Sequence, residues 1–191
     1  RTLDKVIRRE IAVAEGDAVN SDKIRISNKN LNKLGIFKNV SIKEKFGKDN
    51  NVDLDVNIEE KSTGEFQVGL SVSSFEGIAI VTGLKERNFS GAGREVDLSI
   101  NTTENRTLYN FDIVEPYVFN RKMSFIYGIN YSVIDYGESS SYDLTNFSTK
   151  TGFKYLLSED LDHMVTLRYS LKDYSITNSS TASSDIMELS G

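Results

Sequence analysis

The sequence has no cysteine, no tryptophan, one proline and one histidine in 191 residues. Without cysteine there are no disulfides, thiolate metal sites or cysteine nucleophiles. One histidine, His163, excludes a His-Glu-x-x-His zinc motif and any multi-histidine cage; it falls in a predicted turn and reads as solvated. No aliphatic run exceeds four residues, as at Ile78-Ala79-Ile80-Val81, whereas a membrane helix takes roughly 20. A net charge of −5 argues against a nucleic-acid footprint. No nucleophile-base-acid pattern and no metal-ligand spacing is present, so the sequence predicts a protein that is not an enzyme and uses no cofactor or metal ion.

What is present is unevenly spread. Residues 1–62 hold 13 Lys+Arg against 11 Asp+Glu, a net of +2, and the remaining residues hold 10 against 17, a net of −7. Only Phe37 and Phe46 of the 19 aromatic residues lie in the first stretch. This places a domain boundary near Lys61-Ser62-Thr63-Gly64, giving units 1–62 and 63–191.

The first unit reads as two helices and a hairpin. Thr2 or Asp4 is positioned to cap a helix carrying Val6, Ile7, Ile11 and Val13, ended by Glu15-Gly16-Asp17. Ser21 caps a second helix with Ile24, Leu31 and Leu34 inward and Gly35 just past its end. Phe37–Phe46 and Val52–Ile58 alternate with period two about a turn at Gly47–Asn51. The order is α-α-β-β, and a preceding strand is expected. Asp53, Asp55, Glu59 and Glu60 read as the solvated face of the hairpin.

The second unit reads as seven alternating strands. Phe66, Val68, Leu70 and Val72 alternate with Gln67, Gly69 and Ser71. Val96, Leu98 and Ile100 alternate with Glu95, Asp97 and Ser99, and Tyr109, Phe111 and Ile113 with Asn110 and Asp112. Phe125, Tyr127, Ile129 and Tyr131 share the apolar parity of Met123–Val133. Ile78–Leu84, Thr145–Tyr155 and Val165–Leu171 complete the set, with an eighth strand expected near Asp185. Two environments produce this alternation: a soluble antiparallel sandwich with apolar faces inward, or a membrane barrel with apolar faces toward lipid. Periodicity cannot separate them. Strands of 11 residues at Met123–Val133 and Thr145–Tyr155 match the 9–11 or so that a tilted spanning strand needs. Connections alternate too: Asn88–Gly93, Glu115–Arg121 and Ser158–Asp162 stay compact, while the other set, Phe75–Gly77, Thr103–Asn105, Asp135–Asp143 and Asp173–Asp185, ends long and serine-rich, as on the two rims of an outer-membrane barrel. Tyr117, Phe119, Tyr136 and Tyr142 flank strand ends as candidate girdle residues.

Several motifs, taken together, carry a resemblance. Asp4-Lys-Val-Ile-Arg-Arg-Glu-Ile11 followed by Asn32-Lys-Leu-Gly-Ile-Phe-Lys-Asn-Val40 resembles the last POTRA (polypeptide-transport-associated) domain of a BamA-type outer-membrane assembly factor, whose β-α-α-β-β order is the one read above with its first strand absent. Ser62–Gly69 resembles the entry into that family's first barrel strand. Arg87-Asn88-Phe89-Ser-Gly91-Ala-Gly93 resembles its turn after strand two, and Glu115-Pro116-Tyr117 its turn after strand four. The resemblance implies an α+β POTRA domain followed by about seven or eight antiparallel strands of a larger transmembrane β-barrel. It implies a location in the bacterial outer membrane, with the POTRA domain in the periplasm. It implies a function in assembling and inserting outer-membrane proteins. Expected partners are unfolded β-barrel clients, accessory lipoproteins of the assembly complex and membrane lipid.

In that family the first strand closes the barrel at a seam that opens, and a client strand pairs with the freed edge by β-augmentation. The resemblance maps this seam to Gly64, Glu65, Phe66, Gln67, Val68, Gly69, Leu70, Ser71 and Val72. Glycine and serine weaken sheet pairing, as an edge that changes partner requires. On the barrel reading, Phe66, Val68, Leu70, Val96, Leu98, Ile100, Tyr109, Phe111, Ile113, Phe125, Tyr127, Ile129 and Tyr131 face lipid. A POTRA-barrel transporter of the two-partner secretion type shares this architecture and differs in conducting its client through the pore. A soluble β-rich binding module is the third reading. Gly91 and Gly93 lack the strand-to-helix context of a phosphate loop and read as turn residues.

Overall fold

The computed structural model describes residues 1–47, 51–74, 77–136, 142–158, 161–176 and 182–189. The tip of the first hairpin and the centres of the connections predicted at Phe75–Gly77, Asp135–Asp143, Ser158–Asp162 and Asp173–Asp185 lie outside the described residues. By contacts the chain divides into two compact units, one of residues 1–64 with 87–94, the other of residues 65–86 with 95–191.

In the first unit α1 spans Asp4–Arg8 and α2 spans Ser21–Lys33. The residue that caps α2 is Asn20 rather than Ser21: its side-chain oxygen accepts from the backbone N–H groups of Asp22 (2.9 Å) and Lys23 (3.2 Å). Gly35, at φ +68°, ends the helix as expected. α1 is shorter than its apolar pattern predicts, and neither Thr2 nor Asp4 caps it. The reason lies elsewhere in the chain. Thr2 is engaged by Glu60 and Asn88, and Asp4 pairs with Arg8. Beyond α1, the Ala12 N–H donates to Ser27 Oγ (2.8 Å) and Asn30 Nδ2 donates to the Glu10 carbonyl (3.3 Å). Side chains of α2 thus take backbone groups that a longer α1 would use.

β1 (Phe37–Phe46) and β2 (Val52–Glu60) pair antiparallel with Val40 opposite Ile58 and Ile42 opposite Val56. A register shift between Phe37 and Asn39 lets Phe37 and Val40, three apart, both face inward. They join Val6, Leu31 and Ile36 in one buried cluster, flanked by Ile7, Leu34, Ile42, Val56 and Ile58. The outer face of the hairpin carries cross-strand ion pairs, Lys38–Glu59 at 2.7 Å and Lys45–Asp55 at 2.8 Å.

The second unit is one antiparallel sheet of seven strands in sequence order: β3 (Gly64–Ser73), β4 (Gly77–Phe89), β5 (Arg94–Thr102), β6 (Arg106–Glu115), β7 (Met123–Asp135), β8 (Tyr142–Ser158) and β9 (Leu161–Ile176). Each predicted strand is present and extended at its ends. Two expectations are corrected. Ser184–Leu189 is a short helix, α3, not an eighth strand: Ser184 and the first-turn Asp185 suit a helix start, and the Met187 N–H bonds back to the Ser183 carbonyl. His163 lies within β9, not in a turn, and stacks on Tyr155 at 5.5 Å between ring centroids.

Candidate functional site

Cross-strand register assigns each side chain of β5–β9 to a face. Leu98 opposes Phe111, which opposes Ile129; Ile100 opposes Tyr109, which opposes Tyr131, then Phe147, then Leu171; Phe125 opposes Phe153, then Val165. Val96, Ile113 and Tyr127 complete this apolar face. On the other face Asp97 opposes Asp112, followed by Gly128, Lys150 and Arg168, and Ser99 opposes Asn110, followed by Asn130, Ser148 and Ser170.

Burial runs opposite to that of a water-soluble core. On the apolar face Leu98 and Tyr109 are each 43% exposed. Among the described residues of this unit, the buried ones are Thr103, Ser132 and Ser148 with the glycines Gly128 and Gly152. No second sheet covers the apolar face among the described residues, so the sandwich reading does not match the structure.

The polar face is internally bonded. Lys150 Nζ lies 2.7 Å from Asp112 Oδ1, reaching across β7 directly over Gly128. A Cβ on Gly128 would sit too close to that oxygen and to Lys150 Cε, so an alanine there would push the ends of these two side chains aside. Asn130 donates to Asn110, Asn110 to Ser99, and Ser170 to Asn146. Lys85 pairs with Glu95 at 2.7 Å and approaches Asp97 at 3.8 Å. Tyr136 and Tyr142, expected as girdle residues, belong here: Tyr142 shares the parity of Ser148 and contacts the rings of Tyr136 (5.0 Å) and Tyr174 (5.8 Å).

The candidate seam residues Gly64–Val72 all lie in β3, which has a single neighbour, β4. Phe66, Leu70 and Val72 are 71%, 76% and 82% exposed, well above the central strands. A Cβ on Gly69 would meet nothing nearer than Val81 Cβ at 4.0 Å, so this position of the edge strand has room for a methyl group.

The turn carrying Asn88, Phe89, Gly91 and Gly93 has a role that sequence reasoning missed. It packs within the first unit. Asn88 Oδ1 accepts from the Gly93 N–H (2.8 Å) and its Nδ2 donates to Thr2 Oγ1 (2.8 Å). The Leu3 N–H donates to the Gly91 carbonyl at 2.8 Å. Gly91 and Gly93 adopt φ +71° and +69°, and a Cβ on Gly91 would strike the Arg1 carbonyl oxygen at 2.0 Å. The Thr2 N–H in turn donates to Glu60, which is therefore not merely solvated. That bond, with the Thr2 hydroxyl, holds the Glu60 carboxyl below its ordinary range. The contact joins residues 86 apart, which local pattern does not reveal; the only local signal was an asparagine followed by two spaced glycines. Glu115-Pro116-Tyr117 leads from β6 into a tight turn bridged from Val118 to Arg121.

Among the described residues, no three His, Asp or Glu side chains converge to hold a metal ion, and no helix is long and apolar enough to cross a membrane. The second statement does not bear on strands.

Comparison with known proteins matches the Omp85 superfamily domain over residues 88–189 and a POTRA domain, described as a surface antigen variable number repeat, over residues 1–61. The outer membrane protein assembly factor BamA of Nitratidesulfovibrio vulgaris is 30% identical over 126 residues, covering 65% of this chain and 16% of the relative. The protein of the same name from Neisseria meningitidis serogroup B is 24% identical over 153 residues, covering 79% of this chain and 19% of the relative. The chain thus spans less than a fifth of the length of these relatives. A crystal structure of BamA from Haemophilus ducreyi lacking POTRA domains 1–3 superposes with a TM-score of 0.81 at 22% identity, over 92% of this chain and 34% of that one. The fold is therefore a POTRA domain followed by antiparallel strands that match part of a BamA barrel.

Proposed function

Because the chain belongs to the Omp85 superfamily, we propose that it takes part in outer-membrane protein assembly, with β3 as the strand on which client barrels begin to pair. The observation that carries this reading is the sheet's inverted burial together with its highly exposed edge strand. An apolar face exposed across strand after strand needs an apolar surrounding, and acyl chains supply one. An unpaired strand edge in that surrounding is costly, because each unsatisfied backbone group there costs several kcal/mol. Such an edge recruits another strand, and main-chain hydrogen bonds hold it with little demand on client sequence.

On this reading Phe66, Val68, Leu70 and the apolar residues of β5–β9 face lipid, while the Asp112–Lys150 face lines the lumen. The sheet sits in the bacterial outer membrane and the POTRA domain in the periplasm, where clients and accessory lipoproteins meet it. The covalent domain boundary falls after Ser62, with the Asn88 turn held by contact to the first domain. The test places single cysteines along Glu65–Val72 in the full-length protein and looks for disulfide crosslinks to the terminal strand of a stalled client. Crosslinks at alternating positions of β3 are expected. Their absence, while cysteines elsewhere in the barrel still crosslink to neighbouring strands, removes the templating role.

A further inference from the structure

The turn between β6 and β7 contains a feature that the packing of the protein does not explain. Phe119 and Asn120 adopt φ +54° and +56°, and the Arg121 N–H bonds back to the Val118 carbonyl at 3.0 Å. Both central residues are thus left-handed, the geometry of a type I′ turn, which asparagine, aspartate and glycine occupy readily and phenylalanine does not. Phe119 is also 76% exposed. An aromatic ring is held in a strained backbone at a turn tip, where a small polar residue suits both the backbone and water. Two exposed cations, Arg121 and Lys122, follow it. The apolar face continues to this end of the sheet as an aromatic row: Phe125 against Phe153 at 5.3 Å between centroids, and Tyr155 against His163.

We infer that Phe119 is an interfacial anchor, its ring seated among lipid headgroups on the short-turn side of the barrel and Arg121 and Lys122 set against anionic phosphates. The surrounding that suits Phe119 has to be apolar at the ring and negatively charged nearby, which describes an anionic phospholipid surface. The inference rests on the barrel reading above and adds a specific contact to it.

These 191 residues hold no tryptophan, and the emission of Phe119→Trp in the full-length protein is isolated by difference from the parent. The full-length protein is refolded into phosphatidylcholine vesicles with and without phosphatidylglycerol. The expected result is a blue-shifted emission, quenched more by lipids brominated near the headgroup end of the acyl chain than by those brominated deeply. The shift should grow with phosphatidylglycerol and shrink when Arg121→Glu and Lys122→Glu are added. Leu98→Trp, from the apolar face, is measured in parallel and should be quenched most by deep bromines. Quenched Leu98→Trp with Phe119→Trp emitting as in water, open to aqueous iodide, overturns the anchor and leaves the barrel reading standing. Shielding of Phe119→Trp only on addition of a protein partner also overturns it. Loss of lipid quenching at both positions takes down the anchor and the barrel face together.

Discussion

The hairpin β1–β2 and the sheet β5–β9 are written in the same code and folded in opposite senses. Val40, Ile42, Val56 and Ile58 alternate with polar residues and turn inward to meet Leu31 and Val6. Leu98, Phe111 and Ile129 alternate in the same way and are not buried, while Ser132, Ser148 and Gly128 are. What differs is the company. The hairpin has an amphipathic helix to pack against, and the sheet, among the described residues, has no second sheet over its apolar face. A period of two specifies that a strand has two unlike faces, and the rest of the chain decides which face is the inside.

The sharpest way to break this comparison is to place substitutions on the inward and outward apolar faces. Leu31→Ala, at a fully buried position, should lower the stability of the first unit by about 2–5 kcal/mol through lost burial and a cavity. Leu98→Arg should cost roughly 2–4 kcal/mol in a bilayer if it lies near the midplane. Asp97→Arg, one residue away on the polar face, should cost less, about 0–1 kcal/mol, since it gives up the approach of Lys85 and gains Asp112 across the strand. Denaturant titration of protein folded into vesicles reads all three. Equal costs at positions 97 and 98 contradict the assignment of faces.

Glycines sharpen the contrast within the sheet itself. Gly128→Ala drives a methyl group into the Asp112–Lys150 pair, and parting that partly exposed pair should cost up to about 1 kcal/mol. Gly69→Ala in β3 makes only an ordinary contact with Val81 and should be neutral, or stabilising by about 0.5 kcal/mol through the entropy that glycine otherwise loses on folding. If client assembly slows in Gly69→Ala while stability holds, the glycine at this position serves function rather than packing.

These contrasts also mark what was legible in the sequence. All seven strands were readable, Ile78–Leu84 and Thr145–Tyr155 with poorer alternation than the rest, because alternation and turn residues are local, and the order α-α-β-β was readable for the same reason. The length of α1 was not, because Ser27 and Asn30, on another helix, claim its backbone groups. His163 was misplaced because β8 and β9 run further toward each other than their apolar alternation does. Tyr136 and Tyr142 lie near strand ends as expected, yet register turns them to the polar face. The Asn88 turn was recognisable by resemblance, but its grip on Thr2 and Leu3 is a long-range contact that no local pattern encodes. The sense of burial, on which the functional reading depends, was open until strand length and loop alternation tipped it.

The smallest expected effect separates the two units by acid. Asp17, Asp55 and Glu60, all in the first unit, are held below their ordinary range, Asp17 chiefly by Lys23, Asp55 by Lys45 and Glu60 by the Thr2 N–H. A carboxyl whose folded-state pKa is depressed contributes stability that is present above its unfolded value, about 4 for Asp and Glu, and lost as pH falls through the folded value. The first unit should therefore weaken as pH drops below about 4. Glu60→Gln keeps an acceptor for the Thr2 N–H but cannot titrate, so its stability should depend less steeply on pH over that range. Hydrogen exchange at the Thr2 and Leu3 amides, measured from neutral pH downward and corrected for the intrinsic pH dependence of exchange, follows the contact directly. Protection should fade on acidification in the parent and persist in Glu60→Gln. Identical profiles in the two proteins mean that Glu60 does not hold the segment that grips the Asn88 turn, and the acid response then belongs to the exposed pairs Lys23–Asp17 and Lys45–Asp55 alone.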